Sequence, residues 1–149
     1  MKPCILILSI LTLALAGNLF GAGQSEKDAA LPAEPAGGSA PAVTIVDSKG
    51  VTVEVGQPVE SIVSINSGMS EILAALGAAD RIDGRCSYST FPSTVRECFV
   101  VAKNSSSPNL ELILRMEPDL VLADAMFDEK SRDLLSGRGI PVLIESTSD

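Results

Sequence analysis

From Val43 onward, the chain alternates between short apolar runs and segments in which apolar residues recur at helical spacing. Strands that alternate with helices are typical of a parallel sheet with helices on both faces. The pattern predicts five such strands, at 61–65, 81–85, 99–102, 120–123 and 141–144. Before them, residues 43–47 and 51–55 alternate around 48–50 and predict a β-hairpin. The predicted fold class is α/β: a parallel, doubly wound sheet with an N-terminal β-hairpin.

Particular residue types mark the ends of the predicted helices. Gly77 follows the first helical pattern, and glycine adopts the left-handed conformation of a helix end at the lowest cost. Ser107 supplies a capping hydroxyl before Pro108, which suits the first position of the next helix. Asp128 is predicted to cap the last helix, and Gly139 lies beyond its end. Between the second and third strands, by contrast, the chain is predicted to be irregular as far as about residue 93.

The N-terminus predicts export from the cytoplasm. Lys2 precedes an apolar run at 5–16, which small residues follow at 21–23. This run is shorter than the roughly 18 residues that span a bilayer, so residues 1–23 are predicted to be a cleaved signal peptide. An uncleaved anchor is the alternative. Because Cys4 precedes the apolar run instead of following it, we expect no lipid attachment, and we expect the protein in the periplasm or cell envelope.

The chain after the signal divides into a tether and one domain. Residues 24–42 are rich in alanine, proline and glycine and have almost nothing to bury, so they are predicted to be a flexible tether. Residues 43–149 are enough for one small domain with a single core.

The acidic composition and the lack of histidine exclude several functions. With 11 basic and 19 acidic residues, the net charge of −8 argues against nucleic acid as a partner. The chain has no histidine and three cysteines, which removes most protein-ligated metal sites and nucleophile–histidine pairs. We therefore expect no metal site and no cofactor, and any metal would arrive inside a bound ligand.

Cys86 and Cys98 are the two cysteines that remain after removal of the signal. An oxidising compartment permits a disulfide, and two free buried thiols are the alternative. We predict the disulfide, because each cysteine falls near the end of a predicted strand and no third thiol competes.

The loops after the predicted strands indicate binding. In open parallel sheets, ligands bind beyond the carboxyl ends of the strands. The loops there begin at Asn66, Cys86, Lys103 and Asp124, and they are rich in Asn, Ser, Thr and Tyr. They lack the paired carboxylates and nucleophile–base sets of catalysis, so we predict a binding protein. A secreted α/β enzyme is the alternative, because the fold alone does not decide between them.

Five segments together resemble the periplasmic binding proteins of iron–siderophore and cobalamin ABC importers, in the order and spacing of that family. They are SIVSI at 61–65, SEILAALGA at 70–78, SYSTFP at 87–92, PNLE at 108–111 and EPDLVLA at 117–123. The resemblance implies two α/β lobes joined by one long rigid helix, with the ligand held between the lobes. By this resemblance, residues 43–149 are the N-terminal lobe, truncated before the connecting helix and the second lobe.

The resemblance also implies a function and a ligand class. The chain would be the extracytoplasmic solute-binding component of an ABC importer, a monomer that captures a ferric siderophore or related metal chelate and delivers it to the permease. Tyr88 matches an aromatic residue of the family's cleft, whereas Ser105 and Asp124 stand where the cobalamin binder has tryptophan. This departure favours an iron chelate, with cobalamin or haem as the alternative. The candidate ligand-binding residues are Asn66, Ser67, Arg85, Tyr88, Ser105 and Asp124.

Glu111 has a separate implied role. It follows PNL and matches the acidic residue with which the family docks onto an arginine of the permease, where charge pairing sets register. The alternative is a first-turn glutamate that the helix dipole favours.

Overall fold

Apolar strands and intervening helices form an α/β fold in residues 40–146, the part of the chain that the computed structural model describes. The predicted signal peptide lies outside these residues, and so does the predicted tether except for its last residues. Whether the signal is cleaved or serves as an anchor is therefore a prediction about residues that the structure does not describe. No helix within 40–146 is long and apolar enough to cross a membrane. The elements in chain order are β1 (Val43–Val46), β2 (Thr52–Val55), β3 (Ile62–Ser64), α1 (Ser67–Ala75), a 3₁₀ turn (Ala79–Arg81), β4 (Ile82–Cys86), α2 (Ser93–Arg96), β5 (Phe99–Ala102), α3 (Leu110–Met116), β6 (Leu120–Ala123), α4 (Glu129–Ser136) and β7 (Val142–Ile144).

Five strands form a parallel sheet in the order β5-β4-β3-β6-β7, and β1 and β2 form an antiparallel hairpin. The chain builds outward from β3 through β4 to β5, and then returns to β6 on the other side of β3. The order of the strands therefore reverses between β3 and β6, which is the switch point at which doubly wound sheets bind ligands. The predicted α/β class and the hairpin are confirmed.

Apolar side chains are buried on both faces of the central strands, and successive side chains of a strand point to opposite faces. Val63 and Val121 pack toward the helices α3 and α4, in one apolar cluster with Ile113, Phe127 and Leu135. Their neighbours Ile62 and Leu120 belong to a second cluster on the other face of the sheet. Met69 and Leu73 of α1 pack against this cluster, which also includes Val53 and Val55 of β2. The sheet is thus the middle of three layers.

The predicted elements differ locally from the structure. The second parallel strand begins at Ile82, one residue later than predicted, because 79–81 form a 3₁₀ turn. The short helix α2 was not predicted. Helix α3 is capped by Asn109, whose side chain accepts a hydrogen bond from the N–H of Leu112 at 3.1 Å, and not by Ser107. The N–H of Asn109 donates to the carbonyl of Val101 at 2.7 Å, so the chain is still bonded to β5 when it reaches Asn109.

A buried ion pair fastens the hairpin to the sheet. Asp47, at the turn of the hairpin, pairs with Arg132 of α4, and both side chains are buried. The Oδ1 atom of Asp47 accepts hydrogen bonds from the N–H groups of Lys49 and Val51, at 3.0 and 2.9 Å. The carboxylate therefore organises the turn and neutralises the guanidinium at the same time.

The same side chains bond to the outer edge of β7. Arg132 donates to the carbonyl of Val142 at 3.2 Å, and Asp47 accepts from the N–H of Ile144 at 3.4 Å. The carbonyl of Ile144 accepts from both the N–H and the hydroxyl of Ser48, at 3.0 and 2.7 Å. These groups of β7 point away from β6, so the hairpin and Arg132 supply partners that no neighbouring strand provides.

The predicted disulfide between Cys86 and Cys98 is wrong, because both are free thiols in the structure. Cys86 is the last residue of β4, whereas the Sγ atom of Cys98 donates to the carbonyl of Ile82, the first residue of β4, at 2.7 Å. Four residue steps along the strand place these two positions about 13 Å apart, and a disulfide requires Cα atoms within about 7 Å. The thiols therefore lie near opposite ends of one strand.

We expect both thiols to react slowly with iodoacetamide in the folded protein and rapidly in urea. The thiol of Cys86 is buried. The pKa of the Cys98 thiol is raised by its own burial and by the nearby Asp83, against the opposing effect of Arg85, so little reactive thiolate forms near pH 7.5. Peptide mass mapping without a reducing agent measures both reactions. A cross-linked peptide that joins Cys86 to Cys98 would contradict the structure.

Candidate ligand-binding site

An open cleft lies at the carboxyl ends of β3, β6 and β7, beside the switch point. Its volume is about 290 Å³, and it is lined by residues that follow these strands and by the first turns of α1. The lining includes Asn66, Met69, Ile72, Asp124, Met126 and Glu145. The cleft combines polar groups near its strands with apolar side chains farther out.

A hydrogen bond between Asn66 and Asp124 spans the switch point. Asn66 follows β3 and Asp124 follows β6, and the Nδ2 atom of Asn66 donates to the Oδ2 atom of Asp124 at 3.0 Å. The Oδ1 atom of Asn66 accepts from the N–H of Met69 at 3.1 Å and caps α1. The other oxygen of Asp124 accepts from the N–H of Met126 at 2.9 Å. These hydrogen bonds hold the side chains of Asn66 and Asp124 in fixed positions in the cleft. Both residues were predicted to contact a ligand.

Ser105 and Ser67 lie next to this pair. Ser105 is buried, and its hydroxyl donates to the carbonyl of Ile65 at 3.2 Å and accepts from the N–H of Asp124 at 3.5 Å. It ties the loop after β5 to the strands on either side of the switch point, beneath the cleft. Ser67 is the half-buried first residue of α1. The structure therefore brings four of the six candidate residues together.

Tyr88 lies on the loop after β4, at the same edge of the sheet. Its side chain is 62% exposed, and that of Phe91 on the same loop is 66% exposed. An exposed aromatic ring supplies contact area to a ligand when the ring lies at the edge of the sheet where the ligand binds. Tyr88 is therefore available to a ligand held above the carboxyl edge of the sheet, and Phe91 is a second candidate that the sequence analysis did not select.

A buried chain of hydroxyls anchors the Tyr88 loop. The Oγ atom of Ser70 in α1 lies 2.9 Å from that of Ser64 in β3 and 3.0 Å from that of Ser89, which follows Tyr88. The Sγ atom of Cys86 lies 3.2 Å from the hydroxyl of Ser89. Buried polar groups persist where they find partners. Serines within apolar strand and helix patterns were the sequence signal for this network, and the sequence analysis missed it.

Arg85 is not brought to the cleft. Its side chain is buried, and it donates to the carbonyls of Cys86 at 3.1 Å and Arg96 at 2.9 Å. These partners belong to β4 and α2, which do not line the cleft. The guanidinium holds the end of α2 onto the sheet, so the geometry does not favour ligand contact by Arg85.

Glu111 lies in the first turn of α3 and is exposed. Since α3 follows β5, its N-terminus is at the same edge of the sheet as the cleft, but Glu111 does not line the cleft. Across residues 40–146, no three His, Cys, Asp or Glu side chains come together in a group that could hold a metal ion.

An open cleft at the switch point of a parallel sheet, lined by polar and apolar side chains, is the arrangement in which α/β proteins bind ligands. The profile of the periplasmic binding protein family matches residues 62–149. The chain belongs to this family.

Individual relatives agree with this assignment. YvrC of Bacillus subtilis (strain 168), an uncharacterized ABC transporter substrate-binding lipoprotein, is 33% identical over 104 residues, which are 68% of this chain and 32% of YvrC. The vitamin B12-binding protein of Yersinia pestis (strain Pestoides F) is 30% identical over 87 residues, 58% of this chain and 31% of that protein. The crystal structure of the heme binding protein HmuT is similar with a TM-score of 0.63 and 29% identity, over 78% of this chain and 38% of HmuT. The chain thus spans about a third of the length of the relatives that it matches.

Proposed function

We propose that residues 43–149 act as the N-terminal lobe of an extracytoplasmic solute-binding protein that captures a metal chelate and delivers it to an ABC permease. The observation that carries the proposal is the cleft at the switch point, with a fixed polar floor and the exposed aromatic rings of Tyr88 and Phe91 at the same edge. The family relatives are binding proteins of ABC importers, which supports the partner and a location outside the cytoplasm.

The proposed ligand is a ferric siderophore, and the second candidate is haem or cobalamin. The names of the similar proteins favour the second class, since one binds vitamin B12 and another binds heme. A single wall with two aromatic side chains offers less stacking area than a flat macrocycle uses, which favours the more compact siderophore chelates. In both cases the metal belongs to the ligand. We propose binding without catalysis, because both carboxylate oxygens of Asp124 accept hydrogen bonds that fix the cleft.

Tyrosine fluorescence tests the proposal, because the chain has one tyrosine and no tryptophan, so its emission comes from Tyr88 alone. We expect a gallium trihydroxamate, haem or cyanocobalamin to change this emission in a saturable way. Tyr88→Ala should weaken the binding of that chelate about three- to tenfold, as measured by equilibrium dialysis, because an aromatic contact is lost.

The matched control is Phe99→Ala. Phe99 is 69% exposed, like Tyr88, but it is the first residue of β5 and therefore lies at the opposite edge of the sheet. We expect this variant to bind as the unaltered chain does. The proposal is wrong if none of the three chelates binds saturably at millimolar concentration.

A further inference from the structure

The cleft beside Asn66 and Asp124 carries negative charge, and we infer that it selects neutral or cationic chelates over anionic ones. The inference rests on the proposed function, because it names the class of ligand for the same cleft. Two carboxylates line the cleft, those of Asp124 and Glu145, and the lining contains no basic side chain. An anionic ligand would therefore be placed against like charge with no cation beside it.

The basic residues nearest to this edge do not alter the balance. Lys49, in the turn of the hairpin, donates its Nζ to the carbonyl of Phe127 at 3.3 Å. Lys103 is exposed on the loop after β5, a strand separated from the cleft by β4. The guanidinium of Arg85 donates to two carbonyl groups within β4 and α2. Around the same edge, the exposed carboxylates of Glu111 and Glu129 add negative charge at the first turns of α3 and α4, and the exposed ammonium of Lys130, next to Glu129, offsets one of these charges.

The one positive contribution inside the cleft is the N-terminus of α1. A helix N-terminus is equivalent to about +0.5 charge. The carboxylate of Asp124 already lies at this terminus through its bond to the capping residue Asn66, and with Glu145 it supplies two negative charges. The cleft keeps a net charge of about −1.5, so the helix dipole reduces the negative potential but does not reverse it.

The rest of the lining specifies the other property of the ligand. Met69, Ile72 and Met126 line the outer part of the cleft, and Ile72 and Met126 are exposed. Methionine side chains adapt their shape to irregular apolar surfaces. The ligand class is thus a chelate with an apolar periphery and zero or positive charge, as in the trihydroxamates, and not a tricatecholate or a polycarboxylate.

A matched series of gallium chelates tests the inference. Desferrioxamine B bound to gallium(III) has a charge of +1, its N-acetyl derivative is neutral and its N-succinyl derivative is −1, whereas the coordinated core is the same. Titration of the ¹⁵N-labelled chain, followed by the shifts of the Gly68 amide and the Asn66 side-chain amide, gives an affinity for each probe. At 20 mM salt we expect the +1 chelate to bind about tenfold more tightly than the −1 chelate, with the neutral chelate between them. In 0.5 M salt the difference should shrink, because the charges are screened.

Variants assign this discrimination to the cleft. We expect Glu145→Gln to reduce the ratio between the +1 and −1 chelates about threefold, and the double variant with Asp124→Asn to bring it near one. Asp80→Asn is the matched control, because Asp80 is an exposed carboxylate in the 3₁₀ turn before β4, at the opposite edge of the sheet, and it should leave the ratio unchanged.

Each result supports or overturns a distinct statement. Equal or tighter binding of the −1 chelate overturns the charge inference and leaves the proposed function standing. A ratio that Glu145→Gln and the double variant do not change overturns the assignment to these carboxylates. If none of the three chelates shifts the cleft resonances at millimolar concentration, the proposed function fails together with the inference.

Discussion

Replacing Asp47 with alanine is expected to lower the free energy of unfolding by about 3–5 kcal/mol. The substitution leaves the buried guanidinium of Arg132 without its counter-ion. Removing one partner of a buried ion pair typically destabilises a protein by about 3–5 kcal/mol, because the other charge stays buried and unpaired. It also deprives the N–H groups of Lys49 and Val51 of their acceptor in the turn of the hairpin. Urea unfolding followed by circular dichroism measures the change.

Two further variants separate the charge from the hydrogen bonds. Asp47→Asn keeps an oxygen that can accept from the turn but removes the charge, so we expect a loss smaller than that of Asp47→Ala. Asp133→Ala removes an exposed carboxylate next to Arg132 in α4 and should change the stability by less than about 0.5 kcal/mol. A loss below about 1 kcal/mol for Asp47→Ala would show that the buried pair does not stabilise the fold.

Glu111→Arg is expected to reduce uptake by the complete importer about a hundredfold while it leaves ligand affinity within about twofold. Glu111 is exposed at the edge of the sheet that carries the cleft, yet it does not line the cleft. We propose that Glu111 contacts the permease, where charge pairs set register, so reversal of its charge should act on docking and not on ligand binding. Uptake of the radiolabelled chelate in cells and dialysis with purified protein provide the two measurements.

Glu129→Arg is a close control for this experiment. Glu129 is also an exposed first-turn glutamate, in α4, which follows β6 at the same edge of the sheet. Both substitutions therefore lose the same favourable interaction with a helix dipole, about 0.3–1 kcal/mol. Equal loss of uptake in the two variants would mean that the general charge of the edge matters, and loss of ligand affinity in Glu111→Arg would place Glu111 in the binding site.

The sequence was sufficient to predict the elements whose signals are local. Alternation of apolar residues placed the strands, and Gly77, with a φ of 79°, ends α1 as expected. The start of α3 was missed because the bonds that keep 107–109 extended come from β5, and no pattern within that segment reports them. The residue that caps a helix can be predicted from the local sequence only where no strand bonds to the same backbone groups.

The site was predictable in its location but not in its contacts. Asn66 and Asp124 were selected because each follows a strand, whereas the bond between them depends on the parallel register of β3 and β6 across 58 residues. Arg85 and Ser105 were selected by resemblance, and their burial depends on packing that one sequence does not display. The error about Cys86 and Cys98 has a different origin. Cys86 follows the carboxyl end of one predicted strand and Cys98 precedes the next, so the predicted parallel sheet already placed them at opposite edges, as the pairing of β4 and β5 does.

The bonds of Asp47, Ser48 and Arg132 to β7 have a consequence for any shortened form of the protein. The family match begins at residue 62, but the groups that occupy the outer edge of β7 come in part from the hairpin at 43–55. A chain cut at residue 62 would expose the N–H and C=O groups of Ile144, and such an edge recruits strands from other molecules. The hairpin therefore covers the β7 edge of the sheet against strand addition, although it contributes no residue to the cleft.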